Sequence, residues 1–205
     1  ERSRMENKKR TLQKMPPLKI GNVEMPNPLV LAPMAGVTDY VYRGLCARFG
    51  AEATVTEMVS AKGYLLTPKE RLDVIQLRQT NPGEHCALQI FGSDADFMAR
   101  AAERLCESRF FALDINMGCP VPKVANSGDG SGLMRDPDKA VKVAEAVIRG
   151  AGCPVTVKFR LGWDKGSINC VEFAEAMEQA GVSAVAVHGR TRVQMYAGAA
   201  NWDWI

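Results

Sequence analysis

The sequence has few aromatic residues and no long apolar run, and these shortages exclude several classes of protein. Phe, Trp and Tyr make up 7% of the 205 residues. No stretch approaches the roughly eighteen consecutive apolar residues that a membrane-spanning helix needs. No apolar segment follows the basic N-terminus as it does in a secretory signal. We therefore expect a cytoplasmic protein that does not associate with a membrane.

The cysteines and histidines are also too few and too scattered for a metal centre. The six cysteines include no C-x-x-C pair, and they show no ligand spacing with the two histidines. Cytoplasmic thiols stay reduced, so we expect free cysteines rather than disulfides. Most of them are expected to be packed in the core. The sequence predicts no metal site.

Charge is divided unevenly along the chain. Residues 1–14 hold six of the 26 Lys and Arg residues but only two of the 23 acidic residues, so the remainder is close to neutral. A short basic terminus of this kind is typical of a solvated arm. We predict an N-terminal arm over residues 1–17 and a folded domain over residues 18–205.

Short apolar runs typical of buried strands alternate with segments of helical periodicity. The six runs occupy residues 28–33, 53–57, 86–91, 110–116, 154–160 and 184–188. Thr38, Ser93 and Asp136 are the predicted N-caps of the helices that follow three of them. Repeated alternation of this kind predicts an α/β fold in which a parallel sheet is covered by helices.

Two architectures satisfy this pattern, a doubly wound sheet and a (β/α)₈ barrel. The turn at residues 33–38 lacks the glycine pattern of a dinucleotide-binding fold, although three glycines recur at 128, 130 and 132. Six units take about 177 residues, so eight would need roughly 235, close to the roughly 250 of a TIM barrel. We therefore predict a (β/α)₈ TIM barrel, truncated after about six β/α units.

Each predicted strand ends in a polar or polarizable group, where a barrel builds its active site. In chain order these groups are Met34, Glu57, Gln89, Asn116 with Cys119, Lys158 with Arg160, and His188 with Arg190. Side chains alternate along a strand, so Asp114 shares a face with Asn116, and Lys158 shares one with Arg160. These strand ends are predicted to converge on one site.

Structural roles are the alternatives for several of these residues. Lys158 follows an apolar run, where an unpaired ammonium is costly, so it either forms a buried ion pair or faces an anionic ligand group. Gln89 and Asn116 could cap backbone groups, and His188 could be a hydrogen-bonded barrel histidine. Both kinds of role remain open at the level of the sequence.

Cys119 stands apart from the other cysteines because it lies between Gly118 and Pro120, directly after a strand. Such a loop can hold a thiol rigidly at the barrel mouth. No histidine is near it in sequence, which leaves a nucleophilic role unsupported. An unperturbed thiol is mostly protonated at neutral pH and can serve as a proton donor. The alternative is an inert loop thiol.

At these residues the sequence resembles the tRNA-dihydrouridine synthase family, and most of all its bacterial B-type members. The matching motifs lie at residues 31–39, 88–92, 114–124, 128–134, 157–163 and 187–191, in the family's order. The resemblance implies an FMN-dependent TIM barrel followed by a small helical domain that binds tRNA. Because the last two strands and the helical domain would be missing, we expect this chain alone neither to retain FMN tightly nor to modify tRNA.

The resemblance also implies roles for individual residues. The implied cofactor-binding residues are Pro33, Met34, Ala35, Gln89, Lys158 and His188. Asn116 and Arg160 would contact the substrate. NADPH would reduce FMN, and the C5–C6 double bond of specific uridines in tRNA would then be reduced to 5,6-dihydrouridine, with Cys119 as the proton donor.

The implied partners are tRNA and NAD(P)H, and we expect the complete protein to be a monomer. Two other functions remain open. One is a flavin-dependent pyrimidine or dihydroorotate dehydrogenase, which would act on a free pyrimidine. The other is a non-catalytic RNA-binding scaffold that has kept the barrel. Substrate size distinguishes the first from a tRNA-modifying enzyme, because only the first would turn over a free pyrimidine. The second would show no catalytic turnover at all.

Overall fold

The computed structural model describes residues 17–67, 79–107 and 109–205. The predicted basic arm lies outside the described residues, apart from Pro17. The first element is an antiparallel hairpin of β1 (Leu18–Ile20) and β2 (Val23–Met25). Ile20 and Met25 are buried and pack against Ala53, at the start of a strand of the main sheet. The hairpin therefore covers the N-terminal end of that sheet.

The main sheet is parallel throughout, and its strands follow chain order. Its members are β3 (Val30–Leu31), β4 (Ala53–Val55), β5 (Val59–Ser60), β6 (His85–Phe91), β7 (Ala112–Met117), β8 (Val155–Arg160) and β9 (Ala184–His188). The order is β3-β4-β6-β7-β8-β9, and β5 also pairs with β6. The six predicted strands and the barrel-type order are confirmed.

The second predicted strand is broken into β4 and β5. Val55 pairs with Ala87 and Val59 pairs with Ile90, so the broken strand has one more residue than its partner over this interval. At the break, the hydroxyl of Thr56 accepts a hydrogen bond from the backbone N–H of Gln89 at 3.0 Å. A side chain thus replaces a backbone acceptor where the ladder is interrupted.

Helices follow the strands and cover the sheet. They are α1 (Tyr40–Arg48), α2 (Ala61–Leu66), α3 (Ala95–Leu105), α4 (Pro122–Ala125), α5 (Pro137–Gly150) and α6 (Cys170–Gln179). Short 3₁₀ turns occupy Gly130–Arg135 and Trp202–Trp204. None of the helices in the described part of the chain has the length and apolar character to cross a membrane.

The predicted N-caps are wrong by one residue for two helices. Asp39 caps α1 in place of Thr38, and Asp94 caps α3 in place of Ser93. In both helices the carboxylate, one residue later than predicted, accepts hydrogen bonds from the free N–H groups of the first turn. Asp136 caps α5 as predicted.

Apolar side chains from β6, β7 and β8 pack against α3, α5 and α6 to form the main core. Cys106 follows α3 directly, and it forms a disulfide with Cys153, which lies just before β8; their Cα atoms are 6.5 Å apart. The prediction of free thiols is therefore wrong for this pair, because the fold brings together two turns that are distant in sequence. Cys46, Cys86, Cys119 and Cys170 are free.

A buried ion pair fastens α1 to the sheet. The Nε atom of Arg43 donates to Glu84 at 2.9 Å, and the two side chains are 2% and 1% exposed. The remaining nitrogens of Arg43 donate to the backbone oxygens of Thr38, at 3.0 Å, and Gln79, at 2.6 Å. Glu84 also accepts from the backbone N–H of Asn81 at 2.7 Å. The pair is fully hydrogen-bonded, which burial of charge requires.

Candidate active site

A cleft of about 560 Å³ lies at the C-terminal ends of the parallel strands. All nine predicted site residues line it: Pro33, Met34, Ala35, Gln89, Asn116, Cys119, Lys158, Arg160 and His188. Seven further lining residues were not predicted: Ala32, Val37, Met58, Gly118, Pro120, Val121 and Tyr196. The fold therefore brings the predicted side chains, which lie at the ends of separate strands, together in one cleft.

The loop after β3 forms one wall of the cleft. The hydroxyl of buried Thr38 accepts from the backbone N–H of Met34 at 3.0 Å and donates to its carbonyl at 3.2 Å. The carboxylate of Glu57 accepts from the backbone N–H of Gly36. Glu57 thus braces this loop, and it is not among the residues that line the cleft. The bracing holds Met34 with its backbone fixed at the wall.

Hydrogen-bonded polar side chains on neighbouring strands lie along the floor of the cleft and directly beneath it. Asp114 accepts hydrogen bonds from Thr156 Oγ1 at 2.5 Å and from Gln89 Nε2 at 2.6 Å. The Oε1 atom of Gln89 accepts from Asn116 Nδ2 at 2.9 Å. Gln89 is 1% exposed and Asp114 is 5% exposed. Strand alternation predicts Asp114 on this face, but the sequence indicates no role for it.

The loop that carries Cys119 is held from both sides. The Oδ1 atom of Asn116 accepts from the backbone N–H groups of Gly118, at 3.1 Å, and Cys119, at 2.8 Å. The carbonyl of Cys119 accepts from the hydroxyl of Ser131 at 2.8 Å. Backbone capping, the structural alternative for Asn116, is therefore observed at its oxygen. These contacts fix the backbone that presents the half-buried thiol.

Lys158 lines the cleft, and it has no hydrogen-bond or salt-bridge partner among the described residues. Burial lowers the pKa of Lys158, the nearby carboxylate of Asp114 opposes this effect, and Arg160 adds to it. Burial likewise raises the pKa of Asp114, against the hydrogen bonds from Gln89 and Thr156 and the charge of Lys158. The two groups influence each other through space without direct contact. Lys158 can therefore bind an anionic or carbonyl group in the cleft.

Arg160 joins two loops that border the cleft. Its Nε atom donates to the carbonyl of Gly118 at 2.7 Å, and Nη1 donates to those of Thr191, at 3.1 Å, and Met195, at 2.8 Å. Its guanidinium lies 5.7 Å from the ring centroid of Tyr196. Within the described residues, Nη2 is the guanidinium nitrogen without a hydrogen bond. That nitrogen is available to a ligand.

His188 is held as a neutral imidazole at the end of β9. Burial, together with the positive charges of Arg160, Lys158 and Arg190, lowers its pKa to about 4. Arg190 Nη1 lies 3.2 Å from His188 Nε2. The guanidinium of Arg190 also donates to the carbonyl of Gly198, at 3.1 Å from Nε and 2.7 Å from Nη2. Arg190 does not line the cleft, so it acts on the site through His188.

Comparison with known proteins places this site in a family. The model of the family described as "Dihydrouridine synthase (Dus)" matches residues 30–205. The fold is similar to that of a structure described as "Structure of morphinone reductase in complex with tetrahydroNAD", with a TM-score of 0.55 and 12% identity. That alignment covers 86% of this chain and 73% of the other.

Curated relatives agree in name. The tRNA-dihydrouridine synthase B of Pseudomonas aeruginosa is 44% identical over 189 residues, which cover 92% of this chain and 56% of that protein. The protein of the same name from Vibrio cholerae is 43% identical, with 92% of this chain and 58% of that protein covered. The probable tRNA-dihydrouridine synthase of Rhodobacter capsulatus is 42% identical, with 90% of this chain and 57% of that protein covered. The chain spans little more than half the length of these relatives. The family resemblance in the sequence is confirmed, and the chain belongs to the dihydrouridine synthase family.

Proposed function

We propose that this chain forms part of the catalytic barrel of a tRNA-dihydrouridine synthase, an oxidoreductase that reduces the C5–C6 double bond of specific uridines in tRNA. One observation carries the proposal. The nine residues that the family motifs single out come from five strands or their loops, and all of them line one cleft. A barrel kept only as an RNA-binding scaffold would not need this convergence.

The lining of the cleft suits a flavin such as FMN. The wall at residues 33–35 is largely apolar, and the partner-free ammonium of Lys158 would meet an electron-rich edge of the ring. The residues proposed to hold the cofactor are Pro33, Met34, Ala35, Gln89, Lys158 and His188. When bound there, FMN would supply hydride for the pyrimidine, with NADPH as the source of the electrons. The ammonium would stabilise negative charge on the reduced ring.

Cys119 is proposed to supply the proton. Addition of hydride at C6 of the uracil leaves negative charge at C5, and the Sγ–H of Cys119 would deliver a proton there. Arg160, through its remaining Nη2 group, and Asn116 would position the nucleotide. The contacts that Asn116 makes with the backbone of Gly118 and Cys119 support the role of Cys119 as proton donor, because they fix the loop that presents the thiol to the substrate carbon.

The test uses the protein expressed from its complete gene. It is incubated with FMN, NADPH and tRNA that lacks dihydrouridine, and the nucleosides of the digested tRNA are measured by mass spectrometry. We expect dihydrouridine to appear. Turnover of free uracil or dihydroorotate instead would assign a small-molecule dehydrogenase, and no turnover of either would favour the scaffold. The cytoplasmic location and the monomeric state stay predictions.

Substitution of the thiol tests the mechanism. In Cys119→Ala, reduction of the flavin by NADPH should continue, while tRNA reduction falls by about 10²–10⁴, the usual contribution of a positioned acid. Cys46→Ala is the matched control, because Cys46 is also a free, half-buried thiol but does not line the cleft. Unchanged tRNA reduction in Cys119→Ala would remove this thiol from the mechanism.

A further inference from the structure

Asp114 lies beneath the cleft without lining it, yet it ends a hydrogen-bond chain that reaches the Cys119 loop. The chain runs from Asp114 to Gln89, from Gln89 to Asn116, and from Asn116 to the backbone N–H groups of Gly118 and Cys119. Every link is between 2.6 and 3.1 Å. A carboxylate on β7 is thus connected to the loop that follows the same strand by way of a side chain on β6.

The groups at the two ends of this series of hydrogen bonds determine which atom donates and which accepts at each link. Backbone N–H groups can only donate, so Asn116 must turn Oδ1 towards Gly118 and Cys119 and Nδ2 towards Gln89. An amide nitrogen can only donate as well, so Gln89 must present Oε1 to Asn116 and Nε2 to residue 114. Position 114 must therefore accept a hydrogen bond. The two ends of an amide have nearly the same shape, so two contacts together hold Gln89 in this orientation: the Nδ2 donor of Asn116 and the acceptor at position 114.

Fold stability alone does not account for a carboxylate at this position. Asp114 is surrounded by the interior of the sheet, and burial raises its pKa. An ionised side chain in such a place costs stability relative to an apolar one of similar volume. Its second oxygen accepts from Thr156, so both acceptor sites are occupied. Asp114 therefore costs stability, both of its oxygens are hydrogen-bonded, and only Gln89 and Asn116 separate it from the Cys119 loop. This combination indicates a functional requirement for the carboxylate.

We propose that Asp114 is a positioning residue, which orients Gln89 and Asn116 and thereby fixes the loop that carries Cys119. Its importance for catalysis rests on the function proposed above, whereas its effect on the loop does not. Without an acceptor at position 114, Gln89 loses one of the two contacts that orient it, and Asn116 Nδ2 then donates to a side chain that is held less firmly. The thiol would then be presented by a backbone with weaker restraints.

The test compares two substitutions that both remove the charge but differ in hydrogen bonding. Asp114→Asn keeps an oxygen that can accept from Gln89, and its new amide nitrogen can donate to the Thr156 hydroxyl, which accepts as well as donates. Asp114→Leu introduces a side chain of similar volume that has no acceptor. The readout is hydrogen exchange of the Gly118 and Cys119 amides in the protein expressed from its complete gene, measured without added flavin or tRNA, with the amides of α5 as an internal control for global opening.

We expect Asp114→Leu to accelerate exchange of these two amides by about tenfold, which corresponds to the loss of a typical hydrogen bond. Asp114→Asn should stay within about twofold of the parent protein, and exchange in α5 should not change in either variant. Equal exchange in both variants, whether fast or slow, would overturn the proposal, because it would show that acceptance at 114 does not matter to the loop.

Gln89→Leu provides a second route if Asp114→Leu does not fold. It breaks the same chain at its middle link, so exchange of the Gly118 and Cys119 amides should rise by a similar factor, about tenfold. Where both fold, the double variant should exchange no faster than Gln89→Leu alone, because both changes break one path. Parent-like exchange in Gln89→Leu would overturn the proposal.

The catalytic consequence is measured separately in the complete enzyme. There, Asp114→Leu should slow tRNA reduction more than reduction of the flavin by NADPH, and Asp114→Asn should restore most of the loss. If tRNA is not a substrate of the parent enzyme, the proposed function fails while the exchange result stands by itself. If exchange changes as expected and tRNA reduction does not, Asp114 positions the loop without affecting catalysis, and the catalytic part is overturned.

Discussion

Arg190 lies 3.2 Å from His188, Nη1 to Nε2, and this contact determines which nitrogen of the imidazole carries the proton. A guanidinium has no acceptor, so Nε2 must accept and the proton of the neutral ring must sit on Nδ1. Nδ1–H is then the hydrogen-bond donor of the ring. The tautomer is therefore a property of the pair and not of His188 alone.

The first prediction concerns the ionisation of this ring. Burial and three neighbouring positive charges hold the pKa of His188 near 4, so it should remain neutral and Nδ1-protonated down to about pH 5. Nitrogen NMR of the imidazoles measures both properties, and the chain has only one other histidine, His85. Arg190→Met should abolish the tautomer preference. A midpoint near the ordinary value of 6.5 would contradict the prediction.

The same shift predicts how stability depends on pH. The pKa of His188 is lower in the folded state than in the unfolded state, so the unfolded state binds more protons between about pH 6.5 and pH 4. The contribution of His188 is fully present above that interval and is lost as the pH falls through it. His188→Gln should therefore flatten the decrease in stability over this interval, as measured by urea unfolding at each pH. Parallel curves for the two proteins would contradict the assignment.

A second prediction concerns Arg160, which donates three hydrogen bonds to loop carbonyls. Lys has one charged nitrogen and cannot reach three separate oxygens, so Arg160→Lys should cost about 2–4 kcal/mol of unfolding free energy. Urea denaturation provides the measurement. Arg149→Lys is the matched control, since the ion pair of Arg149 with Glu145 is exposed and 3.9 Å long. The control should change stability by less than about 0.5 kcal/mol.

The buried pair of Arg43 and Glu84 carries a third prediction. Glu84→Ala leaves a buried guanidinium without its carboxylate, which should destabilise the fold by about 3–5 kcal/mol. Glu145→Ala, at the exposed pair with Arg149, should have little effect. Guanidinium chloride unfolding at neutral pH measures both. A loss below about 1 kcal/mol in Glu84→Ala would mean that the pair adds little to the stability of the fold.

Acidic pH should weaken the ion pair of Arg43 and Glu84. Burial alone would raise the pKa of Glu84, but hydrogen bonds from Asn81 and Thr54 and the charge of Arg43 outweigh burial and hold the pKa below its usual value. A carboxylate with a lowered pKa stabilises the fold above the unfolded-state value and loses that contribution as the pH falls through the folded-state value. The difference in stability between the parent and Glu84→Ala should therefore narrow below about pH 4.5.

The free cysteines provide a fourth prediction. Burial raises the pKa of Cys86 to about 11 and also raises that of Cys170, and both thiols are buried. Neither should react with iodoacetamide in the native protein at pH 8, whereas Cys119 is accessible from the cleft and should be alkylated. Peptide mass spectrometry distinguishes the sites. Both buried thiols should react after unfolding in urea, and native labelling of Cys86 would contradict its placement.

Much of the fold could be predicted because buried parallel strands appear as short, nearly continuous apolar runs. The site could be predicted because a barrel places its functional groups at the carboxyl ends of those strands. Lys158 and Gln89 therefore stood out before any contact was known. Asp114 was accessible to the same alternation argument, but a side chain below the strand end gives no signal of what it supports.

Other features depend on contacts between distant segments and leave no local signal. The break at Thr56 exists because its hydroxyl meets the N–H of Gln89 on the next strand. Tyr196 enters the cleft because Arg160 holds the loop around Met195, a residue in the left-handed region with φ 50°. The disulfide of Cys106 and Cys153 likewise reflects the packing of two turns. Neither periodicity nor composition encodes such pairs.

The three carbonyls that Arg160 binds belong to loops after two different strands, β7 and β9. If the Cys119 loop moved away alone, one donor of a buried guanidinium would be left unpaired, and the same holds for the loop at residues 191–195. The two loops are therefore coupled, because neither can shift without breaking a hydrogen bond of the same guanidinium. Any displacement of the Cys119 loop should be accompanied by a displacement of residues 191–195, so the two rims of the cleft should move as one unit.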